Sequence, residues 1–155
     1  MPDVFTTAKR SEVMSRIRSR GNAATELRLV ALMREHGITG WRRHLALTAR
    51  RALPRGAAAL VVRVRPDFVF RSQRVAVFVD GCYWHGCPLH YRRPKGNRKF
   101  WDAKILRNQT RDRLVTRELR RAGWTVLRLW ECALARKRAG RTMGRLRRAL
   151  WPEDT

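Results

Sequence analysis

The run Val75-Ala76-Val77-Phe78-Val79 constrains the fold more than any other stretch of this chain. Five consecutive apolar residues, three of them β-branched, have the length and content of a strand covered on both faces. Such a strand belongs inside a sheet with a layer on each side. It reaches Asp80 and is ended by Gly81. The next nine positions, Cys82 to His90, hold two cysteines, two histidines and two aromatics. That density of reactive side chains at a strand end marks a site rather than an ordinary connection.

With 155 residues the chain is expected to form one domain with a real hydrophobic core. The 36 Lys+Arg against 12 Asp+Glu give a formal charge of +24 and a pI of about 11.9. Self-repulsion on that scale points to a polyanionic partner, with nucleic acid the leading candidate. An arginine-rich, GC-biased composition accounts for part of the excess, but not for the cluster at Cys82 to His90. The N-terminus is polar and no apolar run approaches about 18 residues, so neither a signal peptide nor a membrane span is expected. Three cysteines cannot all pair. Metal ligation in a reducing cytoplasm fits better than a disulfide framework.

Residues 1–21 read as a basic arm that orders against phosphate or, without DNA, as a frayed terminus, in which Ser11 to Ser19 could form a short helix, and residues 22–155 as a single domain. Asn22 can cap a helix running to about His36, which Gly37 ends. Glu26, Val30 and Met33 share one of its faces. An acid in the first turn ordinarily offsets the helix dipole. Trp41 to Leu47 reads as a strand, Thr48 to Ala59 as an Arg/Ala/Pro-rich loop, and Leu60 to Val64 as another strand. Asp67-Phe68-Val69-Phe70 starts a strand after Pro66, and Arg71 to Arg74 turns into the central one, predicting an antiparallel hairpin. Asp67 and Asp80 then meet at the same end of the sheet. Two acids converging in so basic a chain suggest a divalent-cation site for phosphate chemistry.

From about Asn97 to Ala122 the pattern is helical, with Gly123 as its end. Trp101, Ile105, Asn108, Asp112, Val115 and Leu119 line one face. The amide and carboxylate in mid-stripe need partners, in an active site or from an arginine. Trp124 to Trp130 is a further buried strand followed by Glu131-Cys132, and Thr142 to Leu150 a closing basic helix. The order of elements gives an α/β or α+β sheet flanked by helices.

Cys82, Cys87 and Cys132 each lie at or just past a strand end, and a structural zinc takes four tetrahedral N/S ligands. One histidine is needed. His90 gives Cys-x4-Cys-x2-His with Cys132 as the distant ligand; His85 is the alternative, and spacing does not decide between them. A histidine between the acids and the zinc is more useful as a base, which favours His90 as ligand and His85 as base.

The run Phe78 to His90, together with Pro66-Asp67, Phe100-Trp101, Asn108, Asp112 and Trp130-Glu131-Cys132, resembles the very short patch repair (Vsr) DNA mismatch endonucleases. The Arg10-Ser11 to Met14 opening and Glu26 also fit, so the resemblance covers nearly the whole chain. It implies a restriction-endonuclease-like fold, a structural zinc, and magnesium-dependent nicking of one DNA strand beside a T:G mismatch. By position, Asp67 resembles the magnesium-binding aspartate, His85 the catalytic histidine, and Glu26 an N-terminal acid of the site. Tyr83, Trp84 and Trp101 match aromatics that wedge into the duplex, and Val79 would supply a backbone carbonyl to the metal. Asn108 and Asp112 fall in the DNA-contacting set.

Two departures accompany the resemblance. Related nucleases carry an acid-x-Lys motif at the central strand end, whereas Asp80 is followed here by Gly81-Cys82, leaving His85 as the nearest group to serve the attacking water. The segment from Ala49 to Val64 is also longer than the family's short loop. A single active site predicts a monomer that nicks rather than cuts both strands, acting at the nucleoid with mismatch-repair proteins as candidate partners. The rival readings are a restriction-type nuclease on unmismatched DNA and a non-catalytic zinc-stabilised DNA-binding protein.

Overall fold

The computed structural model describes residues 25–54 and 57–154, so the basic arm expected over 1–21 and the cap expected at Asn22 lie outside the described residues. A helix spans 25–35 (α1), and Gly37 follows it at a φ of +66°. Then come β1 (Trp41–Arg43), β2 (Leu47–Arg51), β3 (Leu60–Val64), β4 (Phe68–Phe70) and β5 (Val75–Asp80). The long α2 (Arg98–Arg121), β6 (Thr125–Trp130), a 3-10 turn at Glu131–Leu134 and α3 (Arg136–Leu150) complete the domain.

The main sheet has the order β1-β4-β5-β6, antiparallel as far as β5 and parallel between β5 and β6. It is therefore mixed, and the apolar run is an inner strand. Val75 to Phe78 are buried. Val75 and Val77 face Leu29 and Met33 of α1 and Met143 and Leu146 of α3. Ala76 and Phe78 face the other way, toward Val115 and Leu119 of α2. Helices thus cover both faces, as a strand without polar alternation requires. A parallel pair needs a long crossover, and α2 supplies it. The ends of β5 and β6 consequently open side by side, with residues 81–97 following one and the Glu131–Leu134 turn the other.

Three expectations change. The single strand over 41–47 is two: His44 adopts a φ of +52° and breaks it, so β1 joins the main sheet while β2 turns away. The loop expected over 48–59 begins as strand, because Leu47 and Ala49 bury one face while Thr48 and Arg50 face solvent. β2 pairs with β3 as a separate two-stranded ribbon. The closing helix starts at Arg136, not Thr142, since Ala139 already packs in the core beneath an otherwise basic first turn.

Candidate active site and metal centre

Two clusters of metal-capable side chains adjoin at the end of β5. Asp67 lies just before β4, across from the end of β5, and its Oδ2 accepts a 2.7 Å hydrogen bond from the Val79 N–H. His44 returns toward it from the end of β1, donating its backbone N–H to the Asp67 carbonyl at 3.3 Å. Glu26 reaches the same point from α1. One ligand atom each from Glu26, His44 and Asp67 lies within 4.8 Å of the others. Glu26 is buried and is held by Arg43 and by His44 Nε2 at 3.0 Å. Burial pushes the Asp67 carboxyl up to about 6; the Val79 N–H and His44 oppose that, and the charges of Glu26 and Asp80 add to it. Two carboxylates and an imidazole so arranged form a donor set suited to a small divalent cation.

The second cluster is Asp80, His85 and Asp112. His85 Nδ1 stands 2.5 Å from Asp112 Oδ2 and 3.8 Å from Asp80 Oδ1. A carboxylate can only accept, so Nδ1 is the donor, and in the neutral ring the lone pair is then on Nε2. Arg128 from β6 grips Asp80 with two hydrogen bonds, at 2.7 and 2.6 Å, and reaches Asp112 Oδ1 at 2.8 Å. Its guanidinium also stacks on Phe78, 4.7 Å from the ring centroid. Asp67 and Asp80 do lie at one end of the sheet, but Asp80 is committed to Arg128. The partners of Asp67 in its cation-capable set are Glu26 and His44.

Asn108 and Asp112 both direct polar atoms inward. Asn108 donates its amide to the Trp84 carbonyl at 2.7 Å, and Gln109 donates to the His85 carbonyl at 3.2 Å. The polar break in the α2 stripe therefore pins the His85 segment from beneath and, through Asp112, orients its ring. Asn108 and Asp112, expected among the DNA-contacting residues, here use an amide N–H on the Trp84 carbonyl and two carboxylate oxygens on His85 and Arg128. Gly86 allows this approach: at a φ of +69°, an added Cβ would meet Gln109 Nε2 at 2.8 Å and Ile105 Cγ2 at 3.1 Å.

Beside this lies the sulfur cluster. Cys82, Cys87, His90 and Cys132 bring one ligand atom each within 4.8 Å of one another. Cys87 Sγ is 3.9 Å from Cys132 Sγ and 3.7 Å from His90 Nδ1. A disulfide would need about 2.05 Å. A tetrahedral site with Zn–S bonds of about 2.3 Å has S···S edges near 3.8 Å, so the set fits zinc. Burial raises the Cys87 thiol, but hydrogen bonds from His90 and from the Leu89 and His90 backbone outweigh it and bring the thiol down to about 7. Of the two histidines, His90 is in this cluster and His85 is with Asp112.

The aromatics form one half-buried group. Tyr83 meets Trp84 and Trp101 edge-on at 5.1 and 5.4 Å, and Trp84 lies 5.9 Å from Trp101. Lys104 sits over both tryptophans, and Phe100, about half exposed, extends the group toward solvent. On the other side of the His85 pocket, an open groove runs along α2, lined by Arg113, Arg117, Arg120 and Arg121.

His44, Arg128 and Gln109 escape a reading of the sequence. His44 follows two arginines in a short strand, and Arg128 sits mid-strand in an apolar run; neither has motif spacing. Only the need of Asp112 for an arginine foreshadows Arg128.

A family model described as DNA mismatch endonuclease Vsr matches residues 57–90. The Escherichia coli (strain K12) DNA mismatch endonuclease Vsr is 38% identical over 136 residues, 86% of this chain and 76% of that protein. The Type II nicking enzyme V.XorIIP of Xanthomonas oryzae pv. oryzae is 34% identical over 154 residues, 98% of this chain and 99% of the relative. The Type II nicking enzyme V.NaeI of Lentzea aerocolonigenes reaches 54% identity over 70 residues, which span 45% of this chain and only 42% of the relative. The identity shared with the Escherichia coli protein over most of both chains shows that this chain belongs to the Vsr DNA mismatch endonuclease family.

Proposed function

We infer that this protein is a divalent-cation-dependent DNA endonuclease that nicks one strand beside a T:G mispair, on a restriction-endonuclease-like fold stabilised by zinc. The observation that carries the reading is the pair of adjoining clusters at the end of β5. One is a carboxylate set with an unusually basic Asp67; the other is a histidine whose free nitrogen is fixed by Asp112.

Glu26, His44 and Asp67 would hold the cation, with the Val79 carbonyl as a further contact and magnesium the expected ion. When bound, it supplies charge stabilisation at the scissile phosphate. His85 Nε2 accepts a proton from the attacking water, and Asp112 stabilises the resulting imidazolium. Arg128 holds Asp80 and Asp112 in place. Cys82, Cys87, His90 and Cys132 would hold the zinc, which keeps the segment carrying His85 rigid without joining the chemistry. The products would be a 5′-phosphate and a 3′-hydroxyl, and one such centre among the described residues would leave the second strand intact.

The basic surface gathers the duplex. A protein neutralising 6–10 phosphates loses roughly 10³–10⁵ in affinity between 50 and 200 mM salt. Tyr83, Trp84 and Trp101 then enter the stack at the mispair, where unstacking costs less than in matched DNA. Because those rings already contact one another, insertion must open the aromatic group, and Lys104 is placed to meet phosphate as it does.

The test is a strand-labelled duplex carrying one T:G pair, incubated with magnesium or with EDTA alongside its matched counterpart. A single nick beside the mispair, seen only with magnesium, is expected. Equal cutting of matched duplex would point to a restriction-type enzyme, and binding without cutting to a non-catalytic DNA-binding protein.

A further inference from the structure

The β2–β3 ribbon is inserted between two members of the cation set. β2 begins three residues after His44, and β3 ends three residues before Asp67. The ribbon is not hydrogen-bonded into the main sheet. One face fixes it: Leu47, Ala49, Val62 and Val64 are buried with Val115 and Leu119 of α2. Arg51 adds an ion pair to Glu118 at 3.1 Å, a carboxylate only 3% exposed and also held by Arg117 and Arg121. The ribbon is thus tied to α2 along one side and to the cation set at its base.

The opposite face is exposed and carries Thr48, Arg50, Val61 and Arg63. Thr48 stands opposite Arg63 and Arg50 opposite Val61, so the two arginines are diagonal neighbours. No carboxylate among the described residues pairs with either. Two neighbouring cations on one exposed face favour a counter-charge over them, and a polyanion supplies one. A two-stranded ribbon is one of the few elements that the roughly 12 Å wide major groove admits. Five residues at about 3.3 Å each extend about 17 Å, enough to follow a groove past several base pairs. The residue types also suit base edges: arginine pairs bidentately with guanine, and small methyl-bearing side chains meet the thymine methyl.

We propose that the outward face of this ribbon enters the major groove beside the cut site and sets the base-pair context in which the enzyme nicks. The proposal rests on the endonuclease reading. Its physical content is a fixed reach: a rigid ribbon rooted at His44 and Asp67 holds the bases it reads at a constant distance from the phosphate being cut.

The experiment is selection by binding. Duplexes with one fixed T:G pair and randomised flanks are recovered on the wild-type protein and on the Arg50→Ala/Arg63→Ala variant, then sequenced. The wild type is expected to enrich a short block on one side of the mispair. The variant, whose changes are on exposed positions, should lose the preference within that block about tenfold or more per base read, while preference for the mispair persists. Arg50→Lys/Arg63→Lys should recover it only in part, since lysine lacks the bidentate fork. No block in the wild type, the same block in both proteins, or an equal fall in affinity for every sequence would each overturn the proposal. A wild type that enriches a block but never nicks would sink the endonuclease reading. A wild type that nicks at the mispair with no flanking preference would sink the ribbon alone.

Discussion

Burial holds the Asp67 carboxyl protonated up to about pH 6, and this has a sign that can be checked. Between its ordinary value of 3.8 and about 6, the folded, cation-free protein binds more protons than the unfolded chain. Stability without cation should therefore fall as pH rises through that window, by at most about 3 kcal/mol. Asp67→Asn should remove the fall. A divalent cation competes with the same proton, so magnesium should raise the melting temperature more at pH 7.5 than at pH 5. Thermal melts of both proteins at the two pH values, with and without magnesium, check both statements. For the base, His85→Ala should lower the single-turnover nicking rate about 10²–10⁴-fold with little change in DNA affinity. Asp112→Asn should weaken nicking in the same way, because an amide can no longer hold the Nδ1 proton as a carboxylate does. These side chains differed in how far sequence exposed them. Asp67 and His85 stand beside a turn and inside a dense motif, while His44 enters the site only through a left-handed backbone break that no glycine announces. Arg128 looks like a stray charge in an apolar strand until Asp80 and Asp112 are seen on either side of it.

At the scale of elements, the β4–β5 hairpin and α2 were legible because their signals are local. An apolar run ends at a turn, and a 3.6-residue stripe persists over 24 residues. Of the ribbon, β3 was legible as a β-branched run while β2 was hidden, because its buried face includes the small Ala49 and its outward face carries arginine, so it looks like an Arg/Ala loop. The beginning of α3 was hidden for a similar reason: only Ala139 faces the core before Thr142. Spacing could not choose between His85 and His90; α2 does, by offering Asp112 to one of them. The segment carrying Cys82 to His90 has little core of its own, and in the proposed reading it has two supports, a zinc on the sulfur cluster and α2. Removing the metal support with Cys132→Ser should release zinc and lower the melting temperature together, since a structural zinc supplies on the order of 10 kcal/mol or more. Loss of zinc with full stability would refute a structural role for that cluster. Disturbing the helical support with Gly86→Val should leave zinc in place yet slow nicking, because the new side chain collides with Gln109 and Ile105 and displaces the His85 carbonyl from Gln109. Zinc assay and nicking rate on one preparation separate the two supports.

At the scale of the whole molecule, the sequence carries a net charge of +24, yet among the described residues Glu26, Asp67, Asp80 and Asp112, four of its twelve acids, gather in two adjoining clusters. The arrangement sets a basic chain to gather a duplex and a group of acids where a cation can sit. DNA affinity should therefore fall steeply with salt while the preference for a mispair over a matched pair stays nearly constant, which competition binding at 50 and 200 mM salt would measure. Trp84→Ala should do the reverse, reducing the mispair preference more than total affinity. The central claim is that the Asp67 cation set and the His85–Asp112 pair serve one chemical step. Single-turnover nicking of a T:G duplex by the wild type, Asp67→Asn, His85→Ala and the double variant tests it most directly. Groups acting as a unit give non-additive losses, so the double variant should be about as slow as the worse single one. Losses that multiply, or an Asp67→Asn protein that nicks at the wild-type rate, would contradict it.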